Sequence, residues 1–135
     1  MNQRPPQSHA LRRYALIFYW VAMFVGTHWP KIEKYAPDEL WLIPHADKLI
    51  HATLYAGWVS VWWWLLSAGG THLSAAATNW LIAGGVAYAI LDESTQLIVG
   101  RTPDVKDWTA DVVGILAAVT ILQTWQRRRA RHQTR

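Results

Sequence analysis

One uncharged run constrains this chain more than any other feature. It extends from Leu49 to Leu91, 43 residues without Asp, Glu, Lys or Arg. A helix that crosses a bilayer needs about 20 predominantly apolar residues, so the run has room for two crossings. Between them, "SAGGTHLSAAATN" contains the paired Gly69 and Gly70 among polar residues, which favours a turn. The run therefore predicts two membrane helices joined by a short connection.

Two further apolar segments flank this run. The chain is 52% hydrophobic and only 16% charged, a composition more typical of a membrane protein than of a soluble domain. The first segment has no small-residue cleavage site in "VGTHWPK", so an uncleaved helix is favoured over a signal peptide. We predict an all-α, four-helix integral membrane protein with residues 1–135 as one domain. Its spans are expected near 14–29, 48–66, 75–99 and 108–126.

The basic residues divide unequally between the two sides of this arrangement. Eight lie on the side of both chain ends: Arg4, Arg12, Arg13, Arg127, Arg128, Arg129, Arg131 and Arg135. Five lie on the other side, together with all nine acidic residues. The positive-inside rule then predicts that both termini are cytoplasmic. The tail "RRRARHQTR" is expected to orient the helices or to contact anionic lipid, and no nucleic acid partner is predicted.

The tryptophans agree with this orientation. Trp29, Trp41 and Trp108 fall at the predicted outer interface, which is where amphipathic aromatic rings accumulate. Five more are expected at or near the inner interface: Trp62, Trp63, Trp64, Trp80 and Trp125. Most of the ten tryptophans are therefore interpreted as interface residues.

Polar residues should converge where the second helix begins, the third ends and the fourth begins. Asp47, His51 and Tyr55 recur every four residues and share one face of the second helix. The third helix carries a stripe of Gly85, Ala89, Asp92 or Glu93, and Gln96. The fourth carries Asp107, Asp111, Gly114 and Ala118. Small residues would let the helices approach closely beneath a cluster of acids, and acids inside a span should face the bundle interior.

The motifs "DKLIH", "LDESTQ", "GRTPDVKD" and "DVVG" occur in this order between Asp47 and Gly114. Together they resemble the VanZ-like membrane proteins, whose pattern is D-K-x-x-H, E-x-x-Q, R-x5-D and N-x-x-G. The matching residues are Asp47, Lys48, His51, Glu93, Gln96, Arg101, Asp107 and Gly114. Asp111 stands where the family usually has Asn, which adds a negative charge to the cluster.

The resemblance implies a small multi-pass protein of the bacterial cytoplasmic (inner) membrane, with its polar site facing outward. The family's namesake is associated with low-level resistance to teicoplanin, which acts on cell-wall precursors. No agreed reaction comes with the family, so enzyme activity stays open. The expected partners are membrane lipids or a lipid-linked cell-wall precursor. The sequence leaves the cofactor and the oligomeric state open.

Roles can be assigned if the protein is an enzyme. His51 would be the general acid or base, oriented by Asp47, with Glu93 as its partner. Lys48 and Arg101 would hold an anionic headgroup. The substrate-binding set is completed by Gln96, Asp107 and Asp111. In a second class of function the same pocket binds or shields a headgroup or an antibiotic without turnover. In a third class it joins helices in a structural partner subunit.

Simpler interpretations exist for single residues. Asp47 and Asp107 each precede an apolar helix, where an Asp side chain can cap the first N–H groups. Asp104 is expected to be a turn residue. His51 and Glu93 could merely tie two helices together. The loop from Pro30 to Asp47 could cover the site.

Four residues of the cluster are candidate metal ligands, and five other histidines lie elsewhere in the chain. His51, Glu93, Asp107 and Asp111 offer mixed nitrogen and oxygen ligands that suit several divalent ions. No H-E-x-x-H or comparable signature is present, so no metal is predicted. The other histidines lack partners at ligand spacing, apart from His45 as a peripheral contributor: His9, His28, His45, His72 and His132.

Overall fold

The computed structural model describes residues 7–29, 37, 42–67 and 72–133. This part of the chain is all-α, as predicted, and contains four long helices. They are α1 (Gln7–His28), α2 (Ala46–Leu66), α3 (Ala75–Gln96) and α4 (Val105–Gln133). Most of the loop suggested as a cover lies outside the described residues.

Local chemistry explains where α3 begins and ends. The Ser74 hydroxyl accepts a hydrogen bond from the Ala77 N–H at 3.1 Å, which caps the first turn of α3. After Gln96 the chain tightens into a 3₁₀ turn, Leu97–Val99, and then reverses at Gly100. Gly100 has a φ of 75°, a left-handed conformation that glycine adopts without steric cost. The predicted span 75–99 thus combines a helix and a 3₁₀ turn.

The start of α4 corrects one interpretation of the sequence. Oδ1 of Asp104 accepts the Lys106 N–H at 2.8 Å, so Asp104 supplies the cap that was considered for Asp107. Asp107 is already inside the first turn, where its own N–H donates to the Asp104 carbonyl at 2.9 Å. The helix also continues beyond the predicted limit at residue 126, to Gln133. Arginine is a good helix former, and this explains the extension.

Helices α2 and α4 form the most extensive pair in the bundle. Their backbones touch at Gly114, where a β-carbon would lie 2.1 Å from the Ala52 carbonyl oxygen. A second close approach occurs at Gly57, over which the Tyr19 ring of α1 packs. The Tyr19 hydroxyl donates to the Leu54 carbonyl at 2.7 Å. Gly57 thus allows α1 to pack closely on α2, and Gly114 allows α4 to approach the backbone of α2. Such contacts are expected for helices that associate through small residues.

The core of the bundle is apolar, and buried polar side chains are concentrated at one end of it. Met23, Tyr55, Val59, Ala89 and Ile115 are fully buried and join the four helices. The predicted small-residue stripes on α3 and α4 lie on the buried faces of those helices. Helices α2 and α4 begin at the end of the bundle where α1 and α3 finish. We call this the polar end, because most of the buried charged residues lie there.

Trp63 was expected at the membrane interface, but it is only 2% exposed and belongs to the core. The helical period explains the difference. Residues 55, 59 and 63 recur every four positions and line the same buried face of α2, so the middle residue of the run "WWW" points inward. Trp80, in contrast, is 78% exposed.

Large apolar side chains cover much of the bundle exterior. Phe18 is 74% exposed, and the exposed face of α1 continues through Leu11, Tyr14 and Val21. Among the described helices, only α2 combines the length with the overall hydropathy and low charge typical of a membrane span. This is a property of length and composition alone, so the predicted insertion of all four helices stays a prediction.

Candidate functional site

The polar end brings together the termini of all four helices. Its buried polar side chains are Thr27 and His28 of α1, His51 of α2, Asp92, Glu93 and Gln96 of α3, and Asp107 and Asp111 of α4. The helix positions explain the convergence, since α2 and α4 start where α1 and α3 end. Burial of this many polar groups is costly unless they pair with one another or with a ligand.

His51 lies at the centre of the cluster. Its Nδ1 atom is 3.0 Å from Oδ1 of Asp111, which is a hydrogen-bond distance, and 3.9 Å from Oε1 of Glu93. Its Nε2 atom is 3.9 Å from Oδ2 of Asp107. Carboxylates therefore lie near both nitrogen atoms of the imidazole.

Two donors hold the Glu93 carboxylate in place. The side-chain amide of Gln96, one turn along α3, donates to Oε1 at 3.1 Å. The backbone N–H of Asp104 donates to Oε2 at 3.1 Å, which ties the loop before α4 to the end of α3. Gln96 and the Asp104 backbone thus hold the Glu93 carboxylate beside His51.

Lys48 forms a second charged group at the polar end, nearer the protein surface. Its ammonium lies 2.7 Å from Asp47, 3.3 Å from Asp104 and 2.5 Å from Asp107. The Lys106 N–H and, after it, the Lys48 ammonium lower the pKa of Asp104. Three carboxylates therefore share the charge of Lys48, and its predicted role toward an anionic headgroup stays a prediction.

One predicted contact differs in the structure, and one residue predicted to bind a headgroup has a partner within the chain. Asp47 was expected to orient His51, but it is exposed and both of its carboxylate oxygens bind Lys48. Asp111 occupies the orienting position instead, because its side chain reaches His51 from α4. Arg101, the other residue predicted to bind a headgroup, donates from Nη1 to the Thr27 carbonyl at 2.7 Å. This bond links the loop after α3 to the last turn of α1.

Helix α1 contributes two buried residues to the cluster that were not predicted from the sequence, Thr27 and His28. His28 was considered to lack partners, but its Nε2 atom lies 2.9 Å from the Thr95 hydroxyl and its Nδ1 atom lies 3.6 Å from Asp92. The Thr27 hydroxyl donates to Oδ1 of Asp92 at 3.0 Å. The signal for both residues was their position at the end of the first span, on the same side as the other polar termini.

Other histidines lie away from this cluster. His45 is exposed and precedes α2 with a φ of 60°. His72 lies 3.3 Å from Gln126 at the opposite end of the bundle. An apolar groove of about 450 Å³ runs between α1, α2 and α3 and is lined mainly by Trp20, Trp58, Trp62, Trp80 and Tyr88. It is chemically distinct from the polar cluster.

The cluster contains one arrangement that suits a metal ion. One ligand atom each from His51, Glu93 and Asp111 lies within 4.8 Å of the other two, and all three residues are buried. The same groups could also hold or move a proton, because His51 and Asp111 are at hydrogen-bond distance. These are the two kinds of chemistry that the arrangement can support.

The fold and the cluster together define a small helical bundle with a buried, acid-rich site at one end and an apolar exterior. The chain belongs to the VanZ/LLP1 family, because the family model matches residues 2–126. Proteins of this family are generally membrane-associated. Comparison with curated proteins and with solved structures finds no match.

Proposed function

We propose that this protein is a multi-pass membrane protein of the bacterial cell envelope that binds a lipid or lipid-linked headgroup at its polar end. The helices contain 22, 21, 22 and 29 residues. At a rise of about 1.5 Å per residue, each exceeds the roughly 30 Å thickness of the hydrocarbon core. The exposed apolar faces of α1 and α4 support the proposal, because soluble proteins rarely expose large contiguous apolar surface.

The proposed orientation places the polar end outside. Arg12 and Arg13 of α1 lie toward the other end of the bundle, as do the four arginines in the last turns of α4, Arg127, Arg128, Arg129 and Arg131. Arg12 donates to the Trp64 carbonyl at 2.7 Å, which brings the start of α1 beside the end of α2. Basic residues at cytoplasmic ends would leave the acid-rich cluster at the outer surface.

The observation that carries the ligand proposal is a buried group of titratable side chains at one end of a bundle with an apolar exterior. Ionisable groups at membrane depth commonly mark binding or transport sites. Arg101 supplies cationic donors at the rim, since one of its N–H groups binds Thr27 and an arginine has five. A lipid headgroup can reach such a rim while its acyl chains remain in the bilayer. Glycopeptide resistance of the teicoplanin type is one phenotype that headgroup binding or shielding could support.

Turnover is the second candidate, and the His51–Asp111 contact favours it. A carboxylate 3.0 Å from Nδ1 orients an imidazole and stabilises its protonated form, which a general base needs. In this version His51 removes or delivers a proton at the headgroup, and Asp111 is its positioning residue. The reaction would be hydrolysis or group transfer at a phosphate or acyl linkage.

Mass spectrometry of lipids that co-purify with the protein tests the binding proposal. We expect one lipid class to be enriched over the host membrane and to be lost in His51→Gln and Glu93→Gln variants. Thr109→Ala is the matched control, because this exposed side chain only bonds back to the Val105 carbonyl of its own helix. Unselective lipid content in the unmodified protein would contradict the proposal.

Cysteine accessibility tests the orientation. The chain contains no cysteine, so Thr102→Cys and His72→Cys each create a single label site. Both positions are exposed and lie at opposite ends of the bundle. An impermeant thiol reagent applied to intact cells should label position 102 and spare position 72. Labelling of position 72 alone would overturn the outward-facing site.

A further inference from the structure

The geometry points to a divalent cation site formed by His51, Glu93 and Asp111, with a first-row transition ion such as Mn²⁺ or Zn²⁺ as its occupant. Imidazole and carboxylate ligands together suit such ions, whereas Mg²⁺ and Ca²⁺ prefer oxygen ligands alone. The three ligand atoms come from three different helices and lie within 4.8 Å of one another.

Distances within the group fit coordination. Nδ1 of His51 lies 3.0 Å from Oδ1 of Asp111 and 3.9 Å from Oε1 of Glu93. Two ligand atoms at a right angle, each about 2.1 Å from an ion, are separated by roughly 3.0 Å. The longer distance corresponds to a wider angle at the same ion. A contact at 3.0 Å is therefore compatible with adjacent ligands as well as with a hydrogen bond.

A second observation favours coordination. Asp111 is 0% exposed, and its Oδ2 atom has no hydrogen-bond partner among the described residues. A hydrogen bond to His51 alone satisfies one carboxylate oxygen and leaves the other buried without compensation, which is costly. A cation beside the carboxylate compensates for this oxygen by charge or by direct coordination.

Charge balance leads to the same conclusion. With a neutral imidazole, the three side chains carry two negative charges, and Lys48 is already shared by Asp47, Asp104 and Asp107. A divalent cation neutralises the two carboxylates in a weakly polar environment, where unpaired charge is unfavourable. The donors to Glu93 from Gln96 and Asp104 orient this ligand, as outer-shell partners commonly do at metal sites.

The site would also add positive charge to a cluster that otherwise contains mostly acids. An ion there could bind a phosphate oxygen of a headgroup. This headgroup contact rests on the proposed function. The cation site itself is independent of it, because ion binding can be measured without any lipid.

The direct test is titration of the chelator-treated full-length protein in detergent with Mn²⁺. Binding is followed by calorimetry and by loss of the free-ion electron paramagnetic resonance signal. We expect one ion per chain with a Kd in about the micromolar range, and displacement by Zn²⁺. Binding no tighter than about millimolar would overturn the site, whether or not lipid is retained.

Variants assign the binding to these residues. Asp111→Asn and Glu93→Gln remove one ligand charge each while keeping size, and we expect each to weaken Mn²⁺ binding at least about ten-fold. Asp47→Asn is the charge-matched control: this carboxylate is exposed, binds the Lys48 ammonium and lies outside the group. Size-exclusion chromatography and circular dichroism verify that each variant is folded. Equal Mn²⁺ affinity in all three folded variants would refute the assignment.

Discussion

Replacing Gly114 by alanine tests the packing that holds α2 against α4. The added β-carbon would lie 2.1 Å from the Ala52 carbonyl oxygen, 2.8 Å from its carbon and 2.9 Å from its α-carbon. All three are backbone atoms, so no rotation of a side chain can relieve the contact. The helices must separate by roughly 1 Å or more to restore ordinary van der Waals distances.

The expected cost of Gly114→Ala follows from this geometry. Overpacking in a tight core costs about 1–3 kcal/mol, and the gain in helix propensity of up to about 1 kcal/mol offsets only part of it. We expect a lower midpoint of thermal unfolding in detergent, measured by circular dichroism.

Gly84→Ala is the matched control for this experiment. Gly84 also lies inside a helix, α3, but a β-carbon there would have no neighbour within 4 Å. The substitution should raise stability by up to about 1 kcal/mol through helix propensity alone. Equal midpoints in the Gly114→Ala and Gly84→Ala variants would show that α2 and α4 are not in backbone contact, and the reasoning would fail.

Substitutions at three further residues probe individual side-chain interactions, each by the unfolding midpoint. Tyr19→Phe removes the hydrogen bond to the Leu54 carbonyl and should cost about 1 kcal/mol; no change would mean that the bond is not formed. Lys48→Met leaves three carboxylates without their shared ammonium and should cost about 2 kcal/mol; a more stable variant would contradict that pairing. Asp104→Ala should lower the midpoint more than Asp104→Asn, because both variants lose the charge paired with Lys48 but Asn still caps; equal losses would refute the capping role.

Uncharged apolar runs were sufficient to predict the helices, and helical periodicity was sufficient to predict the buried faces of α3 and α4. Ala89 and Gln96 on α3, and Asp111 and Ala118 on α4, are buried as their spacing indicated. A period of 3.6 residues fixes which side chains share a face, whatever that face contacts. This regularity is why the burial of acids at one end followed from the sequence.

The pairing of individual acids could not be predicted in the same way. Asp47 shares a face with His51, yet Asp111 is the residue at 3.0 Å, because Asp47 instead binds the adjacent Lys48 ammonium. Spacing along one helix does not determine the rotation and crossing of its neighbours. The same limit explains why the partners of His28, which come from α3, were missed.

Backbone packing and site chemistry are coupled in this bundle. Ala52 directly follows His51 on α2, and Gly114 lies one turn along α4 from Asp111. The close approach of Gly114 to Ala52 therefore helps to set the separation between His51 and Asp111.

A shift of roughly 1 Å between α2 and α4 would exceed the tolerance of either a hydrogen bond or a coordinated pair. Gly114→Ala thus changes mainly the distance at the site, whereas Asp111→Asn changes mainly the charge. Coordination depends on both distance and charge, so each substitution alone should weaken Mn²⁺ binding. General attraction of a cation to an acidic surface depends on charge alone, so it predicts weaker binding for Asp111→Asn and no change for Gly114→Ala.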